Sequence, residues 1–352
     1  MGIQEYPVGR MPRGRRNLIT DVAGVRVGHY TVHQDRQHTG VTVVLPGSGN
    51  CYQNQPVAAA YVHNGYGKTM GSIQIQELGV LETPIALTNT LNVGVVADAL
   101  IEYTLRQCQK DGVACTSINP VVGECNDSQL NCIAHRAVQA EHVWQAIDSA
   151  AEDFEEGSVG AGTGTLCYGL KGGIGSASRC FELEGRRFTL GVLVQSNFGS
   201  LRDFTVNGRP VGKRISAALS KQTGKAPSEA EQADKGSIMT VLATDLPVTA
   251  RQLQRIARRA GAGLARSGSY IGHGSGEVML AFSTANTRSR SGAAFETLSV
   301  VREDLLDAAF AAAVEATHEA VLSSMVHAKA ARGLDGRVWH SLSEFDWMEK
   351  EE

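Results

Sequence analysis

The chain has 352 residues, a formal net charge of −3 and 20% charged residues, enough for one large domain or two ordinary ones. Aromatic content is 6% and no basic stripe runs along the chain, which excludes nucleic acid as a partner. No apolar run reaches the ~18 residues needed to span a bilayer, and the opening Met1-Gly-Ile-Gln-Glu-Tyr-Pro7 lacks the apolar core of a secretory signal.

In chain order, Arg10, Arg13, Arg15 and Arg16 form a short basic cluster that reads as a solvated tail. Val41–Leu45, ended by Pro46-Gly47, predicts a strand. Pro84–Thr88 and Thr189–Gln195 predict two more, and Val93–Cys108 and His142–Phe154 predict helices. Val206-Asn207-Gly208 predicts a hairpin turn. Lys221–Lys235 is too polar to hold a core and reads as a solvated loop. Ile238, Met239, Val241, Leu242 and Ala243 then form an apolar run of strand length. Thr249, with Gln252 three residues on, predicts a capping box. Leu253, Ile256, Ala257, Ala260 and Leu264 follow at helical spacing, with Arg251, Arg255, Arg258 and Arg259 largely off that stripe. Strands are expected at Glu277–Phe282 and Phe295–Val301. A long helix is expected from Glu303 to about Ala328, with Leu306, Phe310, Ala313, Thr317, Val321 and Ser324 on one face.

The 39 glycines suit an α/β or α+β architecture with tight turns and close packing. No internal repeat is present, and the linker is the only biased segment. The seven cysteines, at 51, 108, 115, 125, 132, 167 and 180, are odd in number and lack zinc-knuckle spacing. Reduced thiols in a cytoplasmic protein are the expected state. No histidine pair has ligand spacing, so neither metal nor cofactor is expected. Gly172-Gly-Ile-Gly175 completes neither a dinucleotide fingerprint nor a P-loop and reads as backbone packing.

The chemistry concentrates at Gly236-Ser237, where the polar linker meets the apolar strand. The Ser237 hydroxyl can attack the Gly236 carbonyl to give an ester. Hydrolysis of that ester frees Ser237 as a new N-terminus. Its α-amine, with a pKa of about 7.7–8.0, then serves as the base for its own hydroxyl. On this segment alone, a plain loop-to-strand boundary with a small residue at its start is the favoured reading. In Gly272-His-Gly-Ser-Gly-Glu277, Ser275 and Glu277 lie two apart and share one face of an extended chain. Ser275 can bridge Glu277 to the Ser237 hydroxyl or amine. His273 reads as structural. Asn197 follows the predicted strand, which ends at Gln195, and precedes Phe198-Gly199; it suits a fixed oxyanion donor, or a turn asparagine. Glu124 ends an apolar strand, where a carboxylate is costly to bury without a cation. A substrate ammonium would supply one and make the enzyme an exopeptidase.

These segments resemble the family of L-aminopeptidase/D-amino-acid esterase-amidases and β-peptidyl aminopeptidases. The matches are collinear. They are Asn17–His29, Ile85–Thr90 with Asn92-Val-Gly94, Pro120–Glu124 running into Asn126-Asp127, Gly172–Arg179, Gly191–Gly199, Gly236–Pro247 and Gly274–Glu277. The resemblance implies a single-domain four-layer α/β/β/α sandwich similar to N-terminal-nucleophile hydrolases. It implies self-cleavage into residues 1–236 and 237–352, which stay together as one folded domain. It also implies a serine aminopeptidase or amidase acting on small peptides, amides or esters with a free α- or β-amino terminus. Ser237, Ser275, Glu277 and Asn197 are its implied catalytic residues, and Glu124 the contact to the substrate amine. Many relatives carry an aromatic residue at Gln129, so the pocket wall there differs. A homo-oligomer, a tetramer of processed units, is the implied assembly. An N-acyltransferase on the same scaffold, an endo-acting amidase and an unprocessed binding protein are the alternatives. The acyltransferases generally use threonine, so Ser237 favours hydrolysis.

Overall fold

The structure, a computed structural model, describes residues 8–223, 236–290 and 294–347. Its strands, in chain order, are β1 (Arg26–Gln34), β2 (Gln37–Leu45), β3 (Asn54–Gly65), β4 (Ile85–Asn89), β5 (Val121–Cys125), β6 (Leu166–Cys167), β7 (Leu170–Lys171), β8 (Ile174–Leu183), β9 (Arg186–Asn197), β10 (Gly236–Thr244), β11 (Ser275–Ser289), β12 (Ala331–Arg332) and β13 (Val338–Trp339). The helices are α1 (Ser72–Leu78), α2 (Val93–Lys110), α3 (Ala140–Asp148), α4 (Val211–Thr223), α5 (Ala250–Ala257), α6 (Ala260–Arg266) and α7 (Asp307–Val326).

Two sheets form the middle of the molecule. One has the order β1-β2-β4-β5, the other β3-β11-β10-β9-β8. Val44, Ile85, Leu87 and Val121 of the first sheet meet Leu193, Met239, Val241 and Leu280 of the second. On the first sheet's outer face, Val43, Ala86 and Val122 pack against Leu100 of α2 and Val143 of α3. On the second sheet's outer face, Val192, Ile238, Leu242 and Met279 pack against Ile256 of α5, Leu264 of α6 and Val321 of α7. The result is the expected α/β/β/α order. A sheet covered on both faces needs apolar residues on both, which explains the unbroken apolar run of β10. β10 and β11 are parallel, and the intervening α5 and α6 supply the crossover that parallel strands require.

Local rules account for most elements. The Thr249 side chain accepts from Gln252 N–H at 3.2 Å, and Gln252 Oε1 accepts from Thr249 N–H at 3.0 Å. The capping box is therefore present, and such caps contribute ~0.5–2 kcal/mol. Helix α7 is buried around nearly its whole circumference, its buried polar residues Glu315, Thr317, His318 and Glu319 included. A Cβ at Gly175 would lie 2.0 Å from Ala320 O, so glycine there is what lets α7 approach β8. Gly173 is equally close to Gly157 O, at 2.2 Å. The glycine run is thus backbone packing. Asn207 (φ 50) and Gly208 (φ 79) turn the chain between the bridged residues Val206 and Arg209.

Four expectations are corrected. Arg13 and Arg16 do not belong to a solvated tail. Arg13 pairs with the buried Glu319 at 2.7 Å, and Arg16 with Glu152 at 2.6 Å. Glu315 accepts from the Arg10 and Met11 amides, and buried Arg179 binds both glutamates and Val8 O. The acids of α7 therefore draw the N-terminal arm down. The helix predicted to Phe154 stops at Asp148, because Val27 and Ala151 pair as a β-bridge, with Val27 N–H reaching Ala151 O at 2.9 Å. Phe295–Val301 forms no strand, and Phe295 is 92% exposed. Both edges of β11 are already taken by β3 and β10. The predicted linker begins later than Lys221, which lies in α4, and residues 224–235 fall outside the described residues.

Cys108, Cys125, Cys167 and Cys180 are buried, and all seven cysteines are free thiols. Among the described residues no helix is long and apolar enough to cross a membrane.

Candidate active site

Strand β10 begins at Gly236, and Ser237 stands directly opposite Asn197, the last residue of β9. On its other side Ser237 is level with Gly276 of β11. Alternation along β10 sends Met239, Val241 and Ala243 into the inter-sheet core and Ile238 and Leu242 toward the helices. Ser237 and Asn197 therefore share the inter-sheet face. Asn197 Oδ1 accepts from Leu166 N–H at 2.9 Å. That tether fixes the orientation of the Asn197 side chain.

Ser275 and Glu277 meet as their spacing predicts, with Ser275 Oγ donating to Glu277 Oε1. Both are fully buried. Alternation, however, puts them with Met279 and Ala281 on the helix side of the sheet, the face opposite the Ser237 Cβ. The parallel register aligns Ser275 with Gly236. The dyad is therefore level with the Gly236–Ser237 peptide, whose nitrogen would become the free amine.

Gly236 itself has φ 118, and a Cβ there would lie 2.0 Å from Asn197 O. Its N–H reaches Gly274 O at 3.3 Å. Beneath the junction, Cys125 Sγ lies 3.5 Å from Ser237 O and 3.4 Å from Gln195 O. Burial pushes this thiol's pKa up, so it acts as a neutral clasp between the sheets.

Glu124 is the penultimate residue of β5 and is 4% exposed. Its Oε1 accepts from Lys68 N–H at 3.0 Å, and its Oε2 from Thr90 Oγ1. Both donors are neutral, and among the described residues no ion pair reaches this carboxylate. Gln129 is exposed in the loop after β5. Its backbone carbonyl is taken by Leu334 N–H at 3.2 Å, and no hydrogen bond joins it to Glu124. His273 is exposed in a turn, and its backbone carbonyl accepts from Asn64 Nδ2 at 3.4 Å.

Lys171 has no counterpart in the sequence reading. It is completely buried, and its ammonium donates to Gly162 O, Thr165 O and Gly172 O at 3.0, 2.9 and 2.7 Å. These carbonyls bracket Leu166, so the lysine gathers the loop that holds Asn197. Burial draws its pKa down from 10.5 to about 7, opposed by the Asp127 carboxylate. Burial pushes Asp127 up to about 6, opposed by hydrogen bonds from Thr39 and Asn131.

Lys171→Met would leave the three carbonyls without a donor. We expect a loss of about 1–3 kcal/mol, the cost of leaving buried acceptors unpaired. The unfolded chain keeps the lysine proton up to about 10.5, while the folded chain releases it near 7. Wild-type stability from this group therefore rises with pH across that window. The difference between wild type and Lys171→Met, measured by denaturant unfolding, should widen between pH 7 and 9. A difference that shrinks would contradict the assignment.

Among the described residues no group of three or more His, Cys, Asp or Glu side chains is arranged to hold a metal. The arrangement offers a hydroxyl opposite an asparagine side chain, a buried serine–glutamate pair level with the Gly236–Ser237 peptide, and a buried carboxylate near the end of β5 that alternation places on the same face of its sheet as Val122.

Comparison with known proteins gives matches over nearly the whole chain. Residues 17–339 match peptidase family S58. The sequence is 38% identical to β-peptidyl aminopeptidase BapA of Sphingosinicella microcystinivorans over 340 residues, 92% of this chain and 84% of that protein. The fold is similar to the crystal structure of the PH0078 protein of Pyrococcus horikoshii OT3. The TM-score is 0.89 at 44% identity, covering 97% of this chain and 96% of that one. It is also similar to the L-aminopeptidase D-Ala-esterase/amidase of Ochrobactrum anthropi, described as a prototype of the serine aminopeptidases and a variant of the Ntn-hydrolase fold. There the TM-score is 0.86 at 34% identity, covering 95% of this chain and 93% of that one.

Proposed function

The chain belongs to peptidase family S58 and is a hydrolase of peptide and amide bonds with an Ntn-type fold, and from that premise we propose that Ser237 is its nucleophile, freed by cleavage of the Gly236–Ser237 bond. The observation that carries the reading is the pairing of Ser237 with Asn197 at the end of the sandwich, one residue after a glycine in a conformation closed to other residues. In the precursor the hydroxyl attacks the Gly236 carbonyl. The resulting ester is hydrolysed, and Gly236 becomes a carboxylate.

In the mature enzyme the Ser237 amine takes the hydroxyl proton as the oxygen attacks the substrate carbonyl. Asn197 Nδ2 donates to the developing oxyanion. Ser275 and Glu277 hold the amine from the helix side and carry its charge. The amine returns its proton to the departing amine, and water then releases the acyl group. Glu124 receives the substrate ammonium. A single buried carboxylate with two neutral donors suits one cation and disfavours a neutral N-acyl group. This makes the enzyme an aminopeptidase that releases α- or β-amino acids from small peptides, amides and esters. No step calls for a metal or cofactor. The free thiols support a reducing, cytoplasmic setting. Exposed Tyr66, Met70, Ile73 and Leu78, close together in sequence, support a homo-oligomer.

The experiment is hydrolysis of alanyl and β-alanyl p-nitroanilides by the purified protein. Turnover with at least one is expected, and turnover with neither would contradict the reading. A second variant tests the junction itself. In Gly236→Ala the new Cβ must retreat by roughly 1 Å from Asn197 O, in a backbone conformation that alanine disfavours. Displacements of that size cost ~10²-fold in rate. Cleavage should slow accordingly in a gel time course. Cleavage at the wild-type rate would show that the geometry of Gly236 is not required.

A further inference from the structure

The proposed chemistry places two demands on the turn Gly272–Ser275. It must present Ser275 to Glu277, and it must accept the Gly236 N–H at Gly274 O. Its sequence, Gly-His-Gly-Ser, provides little stiffness. The turn is also entered through Ile271, a β-branched residue in the left-handed region with φ 59, where such side chains are strained. An outside group must hold it.

That group is Asn64. It lies near the end of β3, level with Glu277 across the β3–β11 ladder, where β3 has a bulge. Its Nδ2 donates to Gly272 O at 3.1 Å, to His273 O at 3.4 Å, and to Ser275 O. One side-chain amide thus gathers three carbonyls of a four-residue turn. Within the turn, Ser275 N–H reaches Gly272 O at 2.9 Å.

We infer that Asn64 is a positioning residue for both self-cleavage and turnover, an assignment that rests on the reading of Ser237 as a self-released nucleophile. It touches neither the scissile bond nor the substrate. It acts through Gly274, which fixes Gly236 before cleavage, and through Ser275, which reaches the Ser237 nitrogen with Glu277. A carboxylate in its place would present oxygens to three carbonyl oxygens and push the turn away.

Asn64→Asp is the test, because it keeps the shape and replaces the donor by an acceptor. At pH 8 we expect cleavage and kcat to fall by about 10²-fold, the scale of a 1 Å misplacement, with KM changed by less than about 3-fold. An aspartate facing three carbonyls beside Glu277 holds its proton to higher pH than usual. As pH falls it regains an O–H donor, so the ratio of variant to wild-type rate should recover toward one by about pH 5. A purely structural role would lower the melting temperature and leave that ratio independent of pH. If Asn64→Asp does not yield folded protein, Asn64→Ala is read the same way for cleavage and kcat at pH 8. Wild-type cleavage and kcat in a folded variant overturn the assignment, as does a ratio that does not rise on acidification of Asn64→Asp. If the wild-type chain itself is never cut, the reading of Ser237 fails and takes this assignment with it. A cut wild type with equally fast variants counts against Asn64 alone.

Discussion

Ser237→Ala is expected to remain a single 37.4 kDa polypeptide and to lose turnover by ~10⁴–10⁶-fold, the range seen when a serine nucleophile is removed. Both losses have one cause, since the same hydroxyl opens the Gly236 carbonyl and then the substrate carbonyl. The alanine side chain fits the site. Ser237 is 7% exposed and its strand continues into two packed cores, so the variant should fold and melt close to wild type. Ser237→Cys should retain some cleavage, because a thiolate is a competent nucleophile. Electrophoresis and p-nitroanilide assays on the three proteins decide the matter. Normal processing and normal hydrolysis by Ser237→Ala would move the nucleophile elsewhere.

The second large effect concerns the substrate's amino terminus. Glu124 is buried, with Lys68 N–H and Thr90 Oγ1 as neutral donors. A substrate ammonium would supply the missing positive charge. Acetylation removes that charge and should cost ~2–5 kcal/mol, or roughly 30- to several-thousand-fold in kcat/KM. Glu124→Gln should weaken turnover of free-amine substrates over the same range. It should leave cleavage at Gly236–Ser237 mostly intact, because the precursor bond presents no amine to Glu124. The measurement is kcat/KM for free and acetylated p-nitroanilides of alanine and β-alanine, on wild type and Glu124→Gln. Equal wild-type rates on both members of a pair would exclude exopeptidase action and favour an endo-acting amidase.

Local signals were readable wherever a short stretch determines its own structure. β10 was visible because an apolar run follows a polar segment, and α5 because Thr249 and Gln252 form a box within one turn. The Ser275–Glu277 contact was visible because two residues in extended chain share a face. What escaped depends on partners far away in the chain. Which face the dyad occupies relative to Ser237 follows from the parallel register of β10 and β11, which neither strand encodes alone. Lys68 and Thr90 are 56 and 34 residues from Glu124, and nothing local marks either as its donor. Lys171 sits in an ordinary-looking Leu-Lys-Gly-Gly run, and only the folded loop brings three carbonyls to its ammonium. The N-terminal arginines read as a tail because Glu319 lies some 300 residues downstream. Phe295–Val301 follows β11 in the chain, and β11 is already flanked by β3 and β10, an arrangement the segment's own residues do not show.

The most direct test is the intact mass and N-terminal sequence of the purified wild-type protein, taken on the sample whose activity has been measured. Two associated fragments are predicted, residues 1–236 and residues 237–352, the second beginning Ser-Ile-Met-Thr. Active protein that is still one uncut chain of 37.4 kDa would contradict the account, because Ser237 would then have no free amine to serve as its base.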